Sequence, residues 1–253
     1  MICRWKCVAR SSSARIFADD LPRFREKLTR AELLSAPPPG VQPSDSLWLR
    51  DPHGVAIELR VAEKCTPDDK TISERKSTPA GVVASYSRSK AAKVRPERLS
   101  HIALYTPSVP RSVAFYRETL GIRLSDSSLD IVAFMHGAHG SDHHMIAFVK
   151  SNGPGLHHVS WAVGSLDEVG LGAAQMQAAG HRRGWGTGRH ILGSNYFYYV
   201  RDPWGSHCEY SFDIDYVPAT MDWKSGEHAP EDALYLWGPD LPEDFMNNTE
   251  VTA

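Results

Sequence analysis

The sequence predicts an α+β fold in which paired βαβββ modules form a curved mixed sheet, with an incomplete module nearer the N-terminus. Two internal repeats indicate this architecture. The first relates "SLWLRDPHGVAIELR" (46–60) to "FYYVRDPWGSHCEYS" (197–211). The second relates "RLSHIALYTPSVPRSVAFYRETLG", from residue 98, to "GLHHVSWAVGSLDEVGLGAAQMQAAG", from residue 155. Short alternating runs beside stretches with apolar residues three and four apart are typical of strands next to amphipathic helices.

The second repeat sets the limits of the main domain. Each copy begins with an alternating strand, passes through a turn into an amphipathic helix and closes at glycine. Residues 98–150 and 155–213 are therefore predicted to be two modules of one domain. Residues 16–62 match the later part of another module, because a helix-like stretch precedes the RDPxG turn there. RDPxG itself is typical of a tight hairpin turn.

The remaining segments differ in composition. Residues 63–97 are rich in Lys, Arg, Ser and Pro, which predicts a mobile linker. Residues 1–15 are basic, rich in serine and free of acids, so we expect a disordered or targeting-like N-terminus. Residues 214–253 combine prolines with aromatics and show no period. We expect them to form an extended C-terminal arm over the mouth of the site or against a neighbouring subunit.

Overall composition excludes several classes of protein. A net charge of -2 gives no reason to expect nucleic acid or an anionic membrane as a partner. No apolar run approaches the roughly 18 to 20 residues that a spanning helix needs. Four cysteines without CxxC spacing favour a reducing compartment. We therefore expect a cytoplasmic protein, with an organelle as the alternative.

Three residues on separate predicted strands could bind a metal ion. Alternation places His101 and His158 at equivalent inward positions of the repeat, and it also turns Glu209 inward. Two core histidines bonded to backbone carbonyls are the alternative. A buried carboxylate favours the metal, because burying it without a cation or strong partners costs several kcal/mol. Two imidazoles and one carboxylate form the ligand set of many Fe(II) sites.

The ordered motifs LSHIAL, DHHMIAF, GLHHVSW, GRHxxxSNYFYY and RDPWGSHCEY cover residues 98–213. In order and spacing they resemble the type I extradiol ring-cleavage dioxygenases of the vicinal oxygen chelate superfamily. The resemblance implies that His101, His158 and Glu209 bind Fe(II), and Mn(II) suits the same ligands. It also implies a catechol and O2 as substrates, with cleavage next to the two hydroxyl-bearing carbons.

The resemblance implies further roles within the same motifs. His144 takes the place of the family's acid-base histidine, while His190 and Tyr199 match its second-sphere histidine and tyrosine. Period-2 alternation predicts that His143 and His157 point away from the inner face. We also expect a homo-oligomer, in which the N-terminal half contributes scaffold and subunit contacts.

Two alternatives share the predicted fold. A glyoxalase-type isomerase would use a carboxylate ligand from each module, but "HHMIAFVK" contains no acid between Met145 and Lys150. A binding protein without catalysis would not need His144, His190 and Tyr199. Glu58 aligns with Glu209, yet no histidine precedes His53 in the chain. Glu58 is therefore predicted to be a relic of duplication, solvated or salt-bridged.

Overall fold

The computed structural model describes residues 20–42, 44–61, 67–70, 72 and 78–251, together with a strand at Ile2–Cys7. An N-terminal unit consists of one helix and a three-stranded sheet of order β1-β3-β2. Its elements are β1 (Ile2–Cys7), α1 (Asp20–Arg30), β2 (Leu47–Arg50) and β3 (Ala56–Val61). Strand β1 pairs in parallel with β3. This strand lies within residues 1–15, which were predicted to be disordered or targeting-like, and residues 8–15 lie outside the described part.

The main domain begins with a module that contains one helix and five strands. These elements are β4 (Arg98–Thr106), α2 (Val109–Leu120), β5 (Arg123–Ser128), β6 (Val132–His136), β7 (Ser141–Asp142) and β8 (Ile146–Lys150). Helix α2 starts where the Ser108 hydroxyl accepts a hydrogen bond from the Arg111 amide. It ends at Gly121, whose φ of 74° favours a residue without a side chain.

The second module repeats the plan with one helix and four strands. Its elements are β9 (Gly155–Ala162), α3 (Leu166–Ala178), β10 (Gly184–His190), β11 (Tyr196–Arg201) and β12 (His207–Phe212). Helix α3 again begins at a serine, Ser165, whose side chain accepts from the Glu168 amide. The strand and helix starts that the repeat predicted are thus present in both modules.

The two modules share one ten-stranded mixed sheet of order β14-β5-β6-β8-β4-β9-β12-β11-β10-β15, where β14 (Gly226–Glu227) and β15 (Tyr235–Trp237) belong to the C-terminal arm. The first strands of the modules, β4 and β9, lie side by side and antiparallel at its centre. The modules are therefore related by an approximate twofold axis between these strands. The arm adds a strand at each outer edge and also forms β13 (Tyr216–Val217), which pairs with β7.

Both RDPxG turns have the same internal bonding. In each, the aspartate carboxylate accepts hydrogen bonds from the backbone amides two and four residues ahead, and the glycine adopts a positive φ. The donors are His53 and Val55 for Asp51, and Trp204 and Ser206 for Asp202. The turns also fix equivalent registers, because Trp48 lies opposite Glu58 and Tyr199 lies opposite Glu209.

The N-terminal unit and the first module share a hydrophobic core. Leu28, Leu49 and Ile57 are fully buried and belong to one cluster with Tyr116 and Phe148. The N-terminal unit therefore packs against the helix side of the first module. No helix in the described part of the chain is long and apolar enough to cross a lipid bilayer.

The segment between them, residues 63–97, is attached to the main domain where it is described. Lys70 forms an ion pair with Asp213 at 3.0 Å. Val94 is buried, and its amide donates to the side chain of Gln175. The sequence predicted a mobile linker, whereas Lys70 and Val94 contact the main domain, and Val94 joins the apolar cluster beneath α3.

Candidate metal centre

Three strands bring His101, His158 and Glu209 together. His101 is on β4, His158 is on the adjacent strand β9, and Glu209 is on β12, which pairs in parallel with β9. All three side chains are buried. Among the residues that the structure describes, they form the one group of three such ligands, with ligand atoms within 4.8 Å of one another.

The ligand atoms converge on a small volume. His101 Nε2 lies 3.1 Å from His158 Nε2 and 3.2 Å from Glu209 Oε2. The distance from His158 Nε2 to Glu209 Oε2 is 3.8 Å. Two imidazole nitrogens and one carboxylate oxygen on one side of a site are the donor set that Fe(II) or Mn(II) accepts in proteins. The residues present therefore fit a divalent cation.

Glu209 is the anionic member of the group. Asn195 Nδ2 donates to Oε1 at 3.2 Å. Within the described residues, the other oxygen, Oε2, has no hydrogen-bond donor although it is fully buried. An oxygen of this kind is costly unless a cation balances it.

A β-bulge precedes each of the two histidines. Along β4 and β9 the register shifts at Ser100 and again at His157, so each of these residues has no direct partner. A bulge places two successive residues against one on the neighbouring strand and redirects a side chain. Ser100 Oγ thereby lies 3.2 Å from His101 Nδ1, and His157 Nδ1 lies 2.7 Å from His158 Nδ1.

The bulge overturns one expectation from alternation. His157 was expected to point away from the inner face, but it lines the cavity beside His158. Its ring also contacts Phe245, with centroids 4.9 Å apart. Strict alternation fails here because the extra residue of the bulge breaks the period of two.

A salt bridge between Arg98 and Asp142 holds Ser100, the hydrogen-bonding partner of His101. Arg98 donates two hydrogen bonds to Asp142, at 2.6 and 2.9 Å. Ser100 Oγ donates to Asp142 at 3.1 Å, so its oxygen accepts from His101 Nδ1. This arrangement places the His101 proton on Nδ1 and leaves Nε2 as a lone-pair donor facing Glu209.

The predicted second-sphere residues, His190 and Tyr199, are bonded to each other. His190 Nδ1 donates to the Leu234 carbonyl at 2.7 Å, and the Tyr199 hydroxyl lies 3.0 Å from His190 Nε2. His190 Nε2 is 3.8 Å from Glu209 Oε1. Burial, with Glu209 nearby, raises the pKa of Tyr199 well above its ordinary value. Tyr199 is therefore a neutral hydroxyl at the edge of the metal centre.

His144 lies beside the metal centre but outside the ligand group. Its ring centroid is 4.1 Å from that of His101, and it lines the same cavity. Burial lowers the pKa of His144 well below its ordinary value, and the neighbouring histidines lower it further. Its neutral form is consequently favoured before any substrate proton arrives.

A cavity of about 250 Å³ opens on the histidines. The polar end is formed by the imidazoles and Tyr199, while the remaining walls are mostly aliphatic or aromatic. The described lining residues include no lysine, arginine, aspartate or glutamate. Leu234, Phe245 and Met246, all from the C-terminal arm, close one side. The arm therefore belongs to the wall of the site.

The approximate symmetry identifies the position in the first module that corresponds to Glu209. Ser160, two residues after His158, pairs with Glu209. Ala103, two residues after His101, pairs with Ala147. Ala147 also lines the cavity. A methyl group thus occupies the place where a second carboxylate ligand would lie.

Glu58 does not belong to this centre. It is buried in β3 of the N-terminal unit, and Ser44 Oγ donates to it at 3.4 Å. Glu58 was predicted to be solvated or salt-bridged, and its burial rules out the solvated alternative. No described histidine joins it in a group that could hold a metal ion. His53 lies in the turn, as predicted.

The sequence reasoning missed several residues around the predicted set. Asn195 stands inside the SNYFYY motif, an even number of residues before Tyr199, so strand phase could have placed it on the same face as Glu209. His143 was set aside, yet its Nδ1 lies 3.1 Å from His144 Nδ1. Its other partner, Asp126, carries no sequence signal because it lies on β5, on the far side of the module.

Comparison with known proteins agrees with this geometry. The profile of the Glyoxalase/Bleomycin resistance protein/Dioxygenase superfamily matches residues 98–210. Metapyrocatechase 2 from Cupriavidus necator is 48% identical over 235 residues, which are 93% of this chain and 73% of that protein. A manganese-dependent 2,3-dihydroxybiphenyl 1,2-dioxygenase from Geobacillus genomosp. 3 is 27% identical over 128 residues, which are 51% of this chain and 40% of that protein.

A solved structure shows the same fold. The crystal structure of homoprotocatechuate 2,3-dioxygenase from Arthrobacter globiformis superimposes with a TM-score of 0.70 at 20% sequence identity. The match covers 97% of this chain and 71% of that one. The N-terminal unit and the arm are therefore included in the shared architecture.

Proposed function

Because the chain belongs to the extradiol ring-cleavage dioxygenases of the glyoxalase/bleomycin resistance protein/dioxygenase superfamily, we propose how it cleaves a catechol. His101, His158 and Glu209 hold one divalent metal ion, Fe(II) in this proposal. A ligand set of two histidines and one carboxylate with open positions is typical of iron enzymes that use O2. Mn(II) is the alternative, because it takes the same ligands.

One observation carries the metal assignment. Glu209 Oε2 is fully buried, has no hydrogen-bond donor among the described residues and faces His101 Nε2 at 3.2 Å. Ser100 and Asp142 favour a lone pair on that nitrogen. A lone pair and an anionic oxygen at this distance repel each other, so a cation between them relieves the strain.

The ligands suit a catecholate by charge. With two neutral imidazoles and one carboxylate, a divalent cation keeps about one positive charge, which a singly deprotonated catechol neutralises. When bound, the metal would give the catechol and O2 a common attachment and pass electron density between them. The second substrate oxygen would lie near Tyr199, whose hydroxyl oxygen can accept a hydrogen bond while His190 orients it.

His144 is the proposed acid-base residue. Its neutral imidazole lines the cavity next to His101, so it can take a proton from the catechol hydroxyl and later return it. The low pKa imposed by burial favours its prompt return of that proton. This role explains a histidine that is near the metal centre but is not one of its ligands.

The cavity favours a particular class of catechol. Its walls away from the histidines are apolar, and no cationic side chain is present among its described lining residues. A carboxylate on the substrate ring would be buried there without a partner, which costs several kcal/mol. Unsubstituted catechol and catechols with alkyl or aryl substituents are therefore the proposed substrates.

The isomerase alternative is less well supported. Such an enzyme would place a carboxylate ligand in each module, whereas Ala147 occupies the symmetry-related position. Three ligands leave coordination positions open for both the catechol and O2. A binding protein without catalysis would not require the buried set of His144, His190 and Tyr199 around those positions.

Metal reconstitution tests this proposal. The protein, loaded anaerobically with Fe(II) or with Mn(II), is expected to bind about one ion per chain and to give a yellow ring-opened semialdehyde from catechol. Catechols with a carboxylate substituent should show kcat/KM at least about 100-fold lower than their alkyl counterparts. Oxygen uptake and absorbance measure both results. Equal rates on the two classes would refute the apolar-pocket argument, and isomerisation of a hemithioacetal without oxygen uptake would favour the isomerase.

A further inference from the structure

We propose that Asp126, His143 and His228 form a positioning network that fixes the tautomer of His144 and leaves its Nε2 as the catalytic base. The inference rests on the proposed function of His144 and deepens it. None of the three residues was part of the predicted site. They come from β5, from the segment before β8 and from the C-terminal arm.

The network is a continuous chain of close polar contacts. His143 Nδ1 lies 3.1 Å from His144 Nδ1, and His143 Nε2 lies 2.7 Å from Asp126 Oδ2. His228 Nε2 lies 3.0 Å from the other oxygen, Asp126 Oδ1. The amide of Gly226 donates to that same oxygen at 2.8 Å. Both oxygens of the carboxylate are therefore engaged.

Asp126 is the fixed acceptor of this network. Burial opposes its ionisation, but hydrogen bonds from His143, His228 and Gly226 outweigh that effect and hold its pKa below the ordinary value. An ionised carboxylate accepts hydrogen bonds and donates none. His143 must therefore carry its proton on Nε2, and neutral His143 then has a lone pair on Nδ1.

The tautomer of His144 follows from that of His143. Two Nδ1 atoms 3.1 Å apart form a hydrogen bond only if one carries the proton and the other the lone pair. With the lone pair on His143, the proton is on His144 Nδ1. The remaining nitrogen, Nε2 of His144, is then unprotonated, which is the state that a base next to the substrate needs.

The same network supports the protonated state of His144. After His144 accepts a proton, its positive charge lies one imidazole away from the Asp126 carboxylate. Such a carboxylate orients the ring and stabilises the imidazolium without taking the proton itself. Ser100 and Asp142 stand in the same relation to His101 Nδ1. Both functional histidines of the first module thus have a hydrogen-bonding partner on the residue before them.

The arm anchors the outer end of the network. The His228 side chain is 34% exposed, while the His143 side chain is 1% exposed. Trp223 Nε1 donates to the Ser125 carbonyl at 3.0 Å and packs edge-on against His143, which secures the arm beside β5. Substitution of His228 should therefore perturb the network from the surface with little risk to folding.

Asp126→Asn is the main test. In the Fe(II)-loaded full chain we expect kcat to fall by about 10- to 100-fold, as for other partners of catalytic or ligating histidines, with metal content and KM retained. In a His144→Gln background the same substitution should have no further effect, because it acts through His144. Histidine nitrogen-15 spectra of the Zn(II)-loaded protein should show His144 protonated on Nδ1 in the unsubstituted chain and redistributed in the variant.

Two controls match the substitutions in residue type. Asp130→Asn, on the exposed β5–β6 turn, and His181→Ala, on the exposed loop after α3, should leave kcat unchanged. His228→Ala should lower kcat by a few-fold in the same direction as Asp126→Asn, which keeps the test decisive if the latter does not fold.

An unchanged kcat in folded Asp126→Asn and His228→Ala would overturn the network, as would additive losses in the His144→Gln background. The spectra separate the two proposals, because a His144 proton on Nε2 refutes the network even if catechols are cleaved.

Discussion

Glu209→Gln is expected to lose both the bound metal and catechol cleavage. The substitution removes the anionic ligand of the group and leaves an amide next to His101 and His158, two neutral imidazoles. Loss of a hydrogen-bonding partner of a metal ligand already lowers the affinity for the metal by about 10- to 100-fold, so loss of the charged ligand itself should lower it further. Metal analysis after anaerobic reconstitution and dialysis, together with oxygen uptake, measures the two effects.

Glu58→Gln is the matched control for that experiment. Glu58 follows the same RDPxG turn, occupies the same register and is also buried. It lies outside any described group that could hold a metal, so its variant should retain iron and activity. Equal loss of iron from the two variants would show that the N-terminal unit takes part in a metal site, and the single-centre account would then be wrong.

His144→Gln is expected to keep the metal and lose turnover. Glutamine can form hydrogen bonds in the cavity but cannot take up the substrate proton at neutral pH. Acid-base residues of this kind typically contribute about 100- to 10,000-fold, and the loss should appear in kcat. Stopped-flow measurement of catechol consumption, with metal analysis of the same sample, separates the two properties.

Two other results for His144→Gln would contradict the proposed acid-base role. Release of the metal from folded His144→Gln would show that His144 is itself a ligand, in addition to His101, whose ring it contacts. Turnover at the unsubstituted rate would instead show that the proton moves through another group. Tyr199 would then be the first residue to consider, because its hydroxyl lines the same cavity.

The grouping of His101, His158 and Glu209 and the order of strands and helices in the two modules could be predicted, because they depend on local patterns that the repeat doubles. His101 and His158 share a strand position, and the RDPxG turn fixes the phase of Glu209 through bonds within the turn itself. The pairing of Tyr199 with Glu209 also follows from that phase. Each of these features needs only a few consecutive residues to specify it.

The rest depends on tertiary contacts that no short segment encodes. The bulge at His157 arises from the pairing of β9 with β4. Alternation along β9 alone therefore predicted the wrong face for this side chain. Asp126 and His228 are far apart in the chain and meet only because the arm returns to β5. The burial of Glu58 likewise follows from packing of the N-terminal unit.

Isotope labelling tests the central claim of oxygen-dependent ring cleavage at this centre most directly. The Fe(II)-loaded protein is supplied with catechol under dioxygen labelled in both atoms, and the product is identified by mass spectrometry. The account predicts that both labelled atoms enter a product whose ring is opened beside the two hydroxyl-bearing carbons. An unlabelled product, or cleavage between those two carbons, would contradict it.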